Sequence, residues 1–243
     1  MTPRNAKVSE ASASMSTVAI HSIPQLIATA LALGAEDVPG WAPAEKELLE
    51  AATEPAEDLD TVRALIAAGA DPLGDAFCSL RSADDRRPQG QTYTPPAIVA
   101  AMLAWARKQD HPERVVDPGI GSARFLVAAG RRFKEAQLVG ADVDPVATLM
   151  ARAHLSVAGL AGRSQVELLD YRTLEVPKIS GRTLYVGNPP YVRHHGITAA
   201  WKQWLTRTAA ERGYKASQLA GLHVHFFLAT LEHAQRGDLG AFV

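Results

Sequence analysis

Cysteine is nearly absent. Cys78 is the one thiol in 243 residues, so the chain forms no internal disulfide and no cysteine-built zinc centre. A reducing, cytoplasmic location is the simplest expectation. No run of about eighteen apolar residues is present to cross a bilayer. The N-terminal stretch MTPRNAKVSEASASMSTVAI lacks the apolar core of a secretory signal. Excess charge of either sign is missing too: the formal net charge is −1, so the chain as a whole is not a basic nucleic-acid binder. With 47% hydrophobic and 21% charged residues, the chain is neither disordered nor fibrous, and it is long enough for one or two domains with a real core.

What is present falls into four stretches. Residues 1–21 are Ser/Ala-rich without apolar period and read as a disordered tail. Residues 22–82 read as a small helical region. Ser22 caps a first helix with Ile23, Leu26, Ile27, Ala30 and Leu31 on one face, closed by Gly34. A second helix is expected over 44–53. A third follows Asp60 with Val62, Leu65 and Ile66 inward and Gly69 at its end, and a fourth carries Leu73, Phe77 and Leu80. Glu45, Glu47, Glu50, Glu54, Glu57, Asp58 and Asp60 make this region acidic, a surface unsuited to phosphates. The phrase TVRALIAAGADPL (61–73) resembles the end of an ankyrin repeat. No Thr-Pro-Leu-His start accompanies it, so two helices that each stop at a glycine remain the better reading. Residues 83–92 read as a linker.

From 93 to 243 short β-rich runs alternate with helical ones. Strands are expected at 114–117, 137–142, 165–169, 183–187 and 239–243, and helices near 95–108, 122–134, 145–158 and 217–235. That alternation predicts an α/β fold with a doubly wound parallel sheet. Four strand ends carry chemistry, and ligands of open α/β sheets bind at that edge. VVDPGIGSARFL (115–126) ends a strand in Asp117 and turns through Gly119 and Gly121. Glycines let a ligand approach backbone, yet the full dinucleotide spacing is missing; Asp117 would repel phosphate and can accept from a cationic group. GADVDP (140–145) places Asp142 25 residues later, close to the spacing at which a carboxylate meets a ribose, with Asp144 as a helix cap. LLDY (168–171) offers Asp170 to an exocyclic amine and Tyr171 to a ring face. GNPPY (187–191) is the strongest signal. Two prolines fix the Asn188 amide and the Pro189 carbonyl side by side, two acceptors for one NH2 group, with Tyr191 as an aromatic face.

Together these motifs resemble the class I S-adenosylmethionine-dependent methyltransferases with a Rossmann-like sheet. More narrowly, they resemble the N6-adenine DNA methyltransferases of restriction–modification systems. NPPY fits that family's D/N/S-P-P-Y/F/W element, and GQTYTPPAIV (90–99) fits its upstream G-x-x-Y-T-P element, in the family's gamma order. The resemblance covers about residues 85–243. It implies S-adenosylmethionine as cofactor, with Tyr93, Thr94 and Pro95 at its methionine end and Asp117, Gly119 and Gly121 in the turn beneath. Asp142 would take the ribose hydroxyls, Asp170 the adenine amine and Tyr171 the adenine face. Asn188, Pro189, Pro190 and Tyr191 would hold the target base, flipped out of double-stranded DNA. Ala123 stands where the family often has a third glycine. Protein glutamine methyltransferases also use NPPY, so that substrate stays open, as does a non-catalytic module.

Cys78 lies outside any Pro-Cys motif, which speaks against cytosine C5 chemistry. His194 and His195, adjacent in an extended segment, are expected to point apart and suit no shared metal ion. Arg193, Lys202, Arg207, Arg212 and Lys215, with Trp201, Trp204 and Tyr214, suggest either a phosphate-tracking surface or a solvated helix face. The resemblance further implies two more strands and a target-recognition domain beyond residue 243, supplied by a longer chain or a partner subunit. It leaves the fifth strand as an exposed apolar edge.

Overall fold

The computed structural model describes residues 19–81, 94–109 and 111–243. The expected linker, Tyr93 and the tail up to residue 18 lie outside the described residues. Five strands form one parallel sheet: β1 (Arg114–Asp117), β2 (Gln137–Asp142), β3 (Ser164–Leu168), β4 (Thr183–Gly187) and β5 (Leu239–Phe242). Their spatial order is β3-β2-β1-β4-β5, every pair parallel. The chain therefore walks outward from β1 to β3, then crosses back to lay β4 on the other side of β1. That reversal opens a crevice at the carboxyl ends of β1 and β4.

Alternation along the strands explains both layers. Val115, Leu138, Leu184 and Val186 point to one face, where they meet α5 (Pro96–Gln109), α6 (Arg124–Arg132) and α7 (Pro145–Val157). Val116, Ala141 and Tyr185 point to the other, under Tyr171, Leu174 and α9 (Leu222–His233). β1 and β4 are buried along their whole length, as central strands covered on both faces must be.

The acidic N-terminal stretch forms α1 (Ile23–Ala32), α2 (Pro43–Leu49), α3 (Leu59–Ala68) and α4 (Pro72–Leu80). Ser22, Asp58 and Asp71 cap α1, α3 and α4 by accepting from the amides three residues on. Gly34 and Gly69 follow α1 and α3 in the left-handed conformation, as the two glycine stops predicted. These helices share a core with Val146, Leu149, Met150 and Ala153 of α7. Covered by the sheet on one side and by α1–α4 on the other, α7 has ten of its thirteen residues buried.

One expectation fails here. Glu45 is not part of an acidic surface: it is fully buried and ion-paired with Arg152, also fully buried. Arg152 fills its remaining donors with the carbonyls of Val38, Pro39, Gly40 and Val166. Such a pair persists in a dry interior only because every donor has an acceptor.

Helix boundaries differ from the sequence reading in several places, among them the second helix, expected over 44–53 and found at Pro43–Leu49. The helix expected from 122 begins at Arg124, because Ala123 adopts a left-handed φ of 68°. The helix expected from 217 begins at Leu222, after a turn closed by the Ser217 side chain. Between them lies α8 (Ala199–Glu211), capped by Thr198, which the sequence had left undecided between helix face and binding surface.

Candidate active site

The strand ends converge on one open cavity of about 340 Å³. Gly119, Gly121 and Ser122 line it after β1, and Asp142 and Val143 after β2. Asp170 joins from beyond β3, and Asn188 and Pro190 from beyond β4. Thr94, from the upstream element, is buried at its rim.

Asp142 is held in place by backbone. Its Oδ2 accepts from the Gly121 amide at 3.0 Å and its Oδ1 from the Asp144 amide at 3.0 Å. Each carboxylate oxygen keeps further acceptor capacity for a ligand. Burial pushes this carboxyl up to about 6, with Asp144 adding to the rise and the three neighbouring amides opposing it. Val143, more than half exposed, stands beside it as an apolar wall.

Asp117 behaves differently. It is buried behind the turn, and neither carboxylate oxygen makes a well-formed hydrogen bond. Burial raises it to about 8, partly offset by the Gly119 amide and reinforced by the charge of Asp142. Its Oδ1 packs so closely on Gly187 that a Cβ there would stand 2.7 Å away. The glycine of GNPPY is therefore required by Asp117, and the two motifs are locked together. Asp117 lies under the cavity floor, not on its wall.

Two aromatic assignments change. Tyr171 borders the cavity but turns inward: it is 1% exposed, shares a hydrogen bond with Thr230 and packs on Phe226. It has no free ring face to offer. Trp204, counted among surface aromatics, stacks on buried His225 at 5.9 Å. Beside Phe125 and Phe226, the cavity carries Trp201, set by α8 and covered by the Arg172 guanidinium at 3.6 Å. Arg172 grips Asp170 through two hydrogen bonds, one at 2.8 Å, and reaches His225 at 3.2 Å. Burial and the Arg172 charge push His225 down to about 4. An amine meeting Asp170 thus shares it with Arg172. No local pattern marks Arg172 or Trp201; the aromatic after the proline motif was the one available hint.

Tyr191 is 52% exposed, with its hydroxyl donating to the Val243 carbonyl at 2.6 Å, so its ring face is open. Pro189 is buried between Asn188 and Pro190. His194 and His195 do not point apart: a tight turn brings their rings to 4.2 Å. No group of three metal-ligating side chains occurs among the described residues. Of the expected basic surface, Arg212 is paired with Glu232 at 2.8 Å and Arg207 sits 4.0 Å from Glu211. No helix among the described residues is long and apolar enough to cross a membrane.

The cavity suits S-adenosylmethionine on three counts. Its floor is glycine backbone that leaves room for close approach: a Cβ on Gly119 would lie 3.9 Å from Asn188, Pro190 and Phe226. Asp142, a carboxylate with spare acceptor capacity, lines it and has the chemistry to accept from two vicinal hydroxyls. A buried carboxyl without a good donor lies below; burial keeps it protonated in the empty site, and a cation bound above would favour its ionised form.

The model of a family described as N-6 DNA Methylase matches residues 69–239. The chain is 44% identical over 232 residues to the type II methyltransferase M.XamI of Xanthomonas campestris pv. amaranthicola, which covers 90% of this chain and 42% of that protein. It is 27% identical over 120 residues to the type II methyltransferase M.VspI of Vibrio sp. (strain 343), covering 49% of this chain and 29% of that one. The chain thus spans less than half the length of either relative. A crystal structure of the type I restriction–modification methyltransferase subunit from Streptococcus thermophilus aligns with a TM-score of 0.49 at 18% identity, over 76% of this chain and 41% of that chain.

Proposed function

The chain belongs to the N-6 DNA methylase family, and from that premise we propose that it is the catalytic part of a restriction–modification methyltransferase. The reaction is transfer of the methyl group of S-adenosylmethionine to the N6 amine of adenine in DNA, in the cytoplasm. The observation that carries the reading is the joining of GNPPY to the cofactor floor: Asn188 and Pro190 line the same cavity as Asp142 and Gly121. Similarity to a type II modification enzyme supports DNA over a protein glutamine as substrate.

S-adenosylmethionine supplies a methyl group already activated on a sulfonium. The residues of this chain bind and orient. Asp142 accepts from the ribose hydroxyls, and the Gly119–Gly121 backbone passes under the amino-acid half. Thr94 and Pro95, with Tyr93 preceding them, border that half. Asp170, steadied by Arg172, accepts from the adenine amine, and Val143 takes the ring-covering place first assigned to Tyr171. At the target base, the Asn188 side-chain oxygen and the Pro189 carbonyl accept the two amine hydrogens. That draws the nitrogen lone pair out of conjugation and toward the methyl. Positioning and fixed dipoles perform the catalysis, with no covalent step on the protein. Tyr191 stacks on the flipped base.

Partners follow from coverage. Base-edge reading and the energy for base flipping are assigned to a recognition domain or partner subunit, because this chain corresponds to under half of its relatives. The test is Asn188→Ala in the complete enzyme. Labelled-methyl transfer to DNA should be abolished while cofactor affinity stays within about twofold, since Asn188 meets the target and not the cofactor. An active alanine variant overturns the mechanism.

A further inference from the structure

Among the described residues none before Thr94 lines the cavity, yet one N-terminal helix touches both cofactor loops. The N-cap of α4, Asp71, uses Oδ1 to accept from the Gly74 amide at 2.8 Å. Its Oδ2 accepts from the Ser122 hydroxyl and from Arg124 Nε, the latter at 2.5 Å. Ser122 and Arg124 follow directly on Gly121. His154 of α7 lies 3.2 Å from the same carboxylate. Arg124 reaches further, to Asp75 of α4 at 3.1 Å and to the Thr94 carbonyl at 3.4 Å. At the opposite end of α4, Arg81 ion-pairs with Oδ2 of buried Asp144. Asp144 caps α7 through Oδ1 and donates its amide to Asp142.

These contacts close a ring. It runs from Asp71 to Ser122, along the chain to the Gly121 amide, across to Asp142, on to Asp144, and through Arg81 back to the far end of α4. Asp142 is the one member that faces the cavity with acceptor capacity to spare. The apolar work of α4 is done by other residues, Leu73 and Phe77, both fully buried. The Asp71 end is therefore separable from its packing, whereas Arg81 also stacks its guanidinium on Phe77 at 4.4 Å.

We propose that α4 is a brace spanning the two cofactor loops, with Asp71 and Arg81 as positioning residues that set the geometry of the glycine turn and of Asp142. The inference rests on the reading of the cavity as the S-adenosylmethionine site. Burial alone would raise the Asp71 carboxyl, but His154, Arg124 and Ser122 outweigh it and hold it well below the usual carboxylate range.

The experiment is titration of the purified chain with S-adenosylmethionine by calorimetry, beside thermal melting of the same samples without cofactor. Asp71→Asn keeps the helix cap and removes the charge at the loop. Its cofactor Kd, measured well below the melt, should rise about tenfold, the loss of one charge-assisted hydrogen bond; Tm falls as well, because the depressed Asp71 carboxyl stabilises the fold. Arg81→Gln, at a side chain only partly buried, should shift Kd in the same direction, by about threefold or more. Leu73→Ala should lower Tm while Kd, measured well below the melt, stays within about twofold. Unchanged Kd in Asp71→Asn and Arg81→Gln overturns the brace, as does a Leu73→Ala effect on Kd equal to theirs. If Asp71→Asn does not fold, Arg81→Gln decides on the same criteria. Asp142→Ala separates the two levels. If it too leaves Kd unchanged, the reading of the cavity falls and the brace with it; if it weakens binding and the α4 variants do not, the brace alone falls.

Discussion

The N-terminal helices meet the sheet domain at two polar joints of opposite character. At the first, Glu45 and Arg152 are sealed from water, and the arginine is surrounded by four backbone carbonyls. At the second, Asp71 holds Ser122 and Arg124, which line the cavity, and Arg124 is partly exposed. The first joint costs heavy desolvation and contributes registration: α2 can dock on α7 in one way. The second is wetter and contributes less to folding, but it is one contact away from the loops that hold Asp142. Similar chemistry, an acid on one element and a base on another, thus serves assembly in one place and site geometry in the other. What separates them is distance from the cavity and access to water.

Breaking the sealed joint should give the largest effect. Glu45→Ala strands Arg152 in the interior and should destabilise the chain by about 3–5 kcal/mol, read as a drop in the denaturation midpoint. Affinity for the cofactor in whatever folds should be unaltered; a loss there would erase the contrast between the joints. Asp142→Ala is the converse. It should cost about 1.5–3 kcal/mol of S-adenosylmethionine binding with a much smaller change in stability, both measured on the same preparation.

The third prediction sharpens the electrostatic side. Asp142 must be ionised to accept two hydroxyls, and its carboxyl is raised to about 6. Cofactor affinity should therefore fall as pH drops through about 6, by close to tenfold per pH unit well below it. A calorimetric series from pH 5 to 8 reads this, and a flat profile would remove Asp142 from the ligand contacts. For stability the sign is opposite to the usual acid case. Asp117, raised to about 8, keeps its proton in the folded state while the unfolded chain releases it near pH 4. Stability of the cofactor-free chain falls as pH climbs from about 4 to about 8 and levels off beyond. Asp117→Asn should flatten that slope, as seen in Tm against pH.

The smallest effect concerns Ala123. Its left-handed φ costs about 1 kcal/mol, but its methyl is buried in the main core, and burying one carbon returns about 0.8 kcal/mol. Ala123→Gly should therefore change stability by less than about 1 kcal/mol, a Tm shift of a few degrees at most. A larger gain would show that strain at this turn had been underestimated.

Much of the frame was legible because it is local. Four of the five strands are short β-branched or apolar runs stopped by Asp, Gly or chain turn, and RVVD, QLVGAD and TLYVG fall on 114–117, 137–142 and 183–187 as read. Ser22 announced a helix start by its hydroxyl, and Gly34 and Gly69 announced helix ends because the missing Cβ permits a left-handed turn. The illegible parts are those settled at long range. Glu45 finds Arg152 107 residues away and Asp71 finds Arg124 53 residues away; neither pairing leaves a period in the sequence. Tyr171 was given a ligand because it follows Asp170, but its hydroxyl is claimed by Thr230 59 positions later. Trp201 acquired its place at the cavity only through the setting of α8. Strand-end acids locate a site, and the packing of remote helices decides which aromatics are left to line it.

The sheet's edge has a dynamic consequence. β5 is hydrogen-bonded on one side only among the described residues, so its opening free energy is set by one ladder and by Phe242 beneath it. The hydroxyl of Tyr191 is fastened to the last carbonyl of that ladder, and the Val243 amide returns to Gly187, the first residue of the same motif. Each fraying event at β5 therefore unlatches the Tyr191 ring. Amide exchange at Ala241–Val243 would count the same openings that free Tyr191 to reorient, and any chain that pairs with the outer edge of β5 would slow both clocks together.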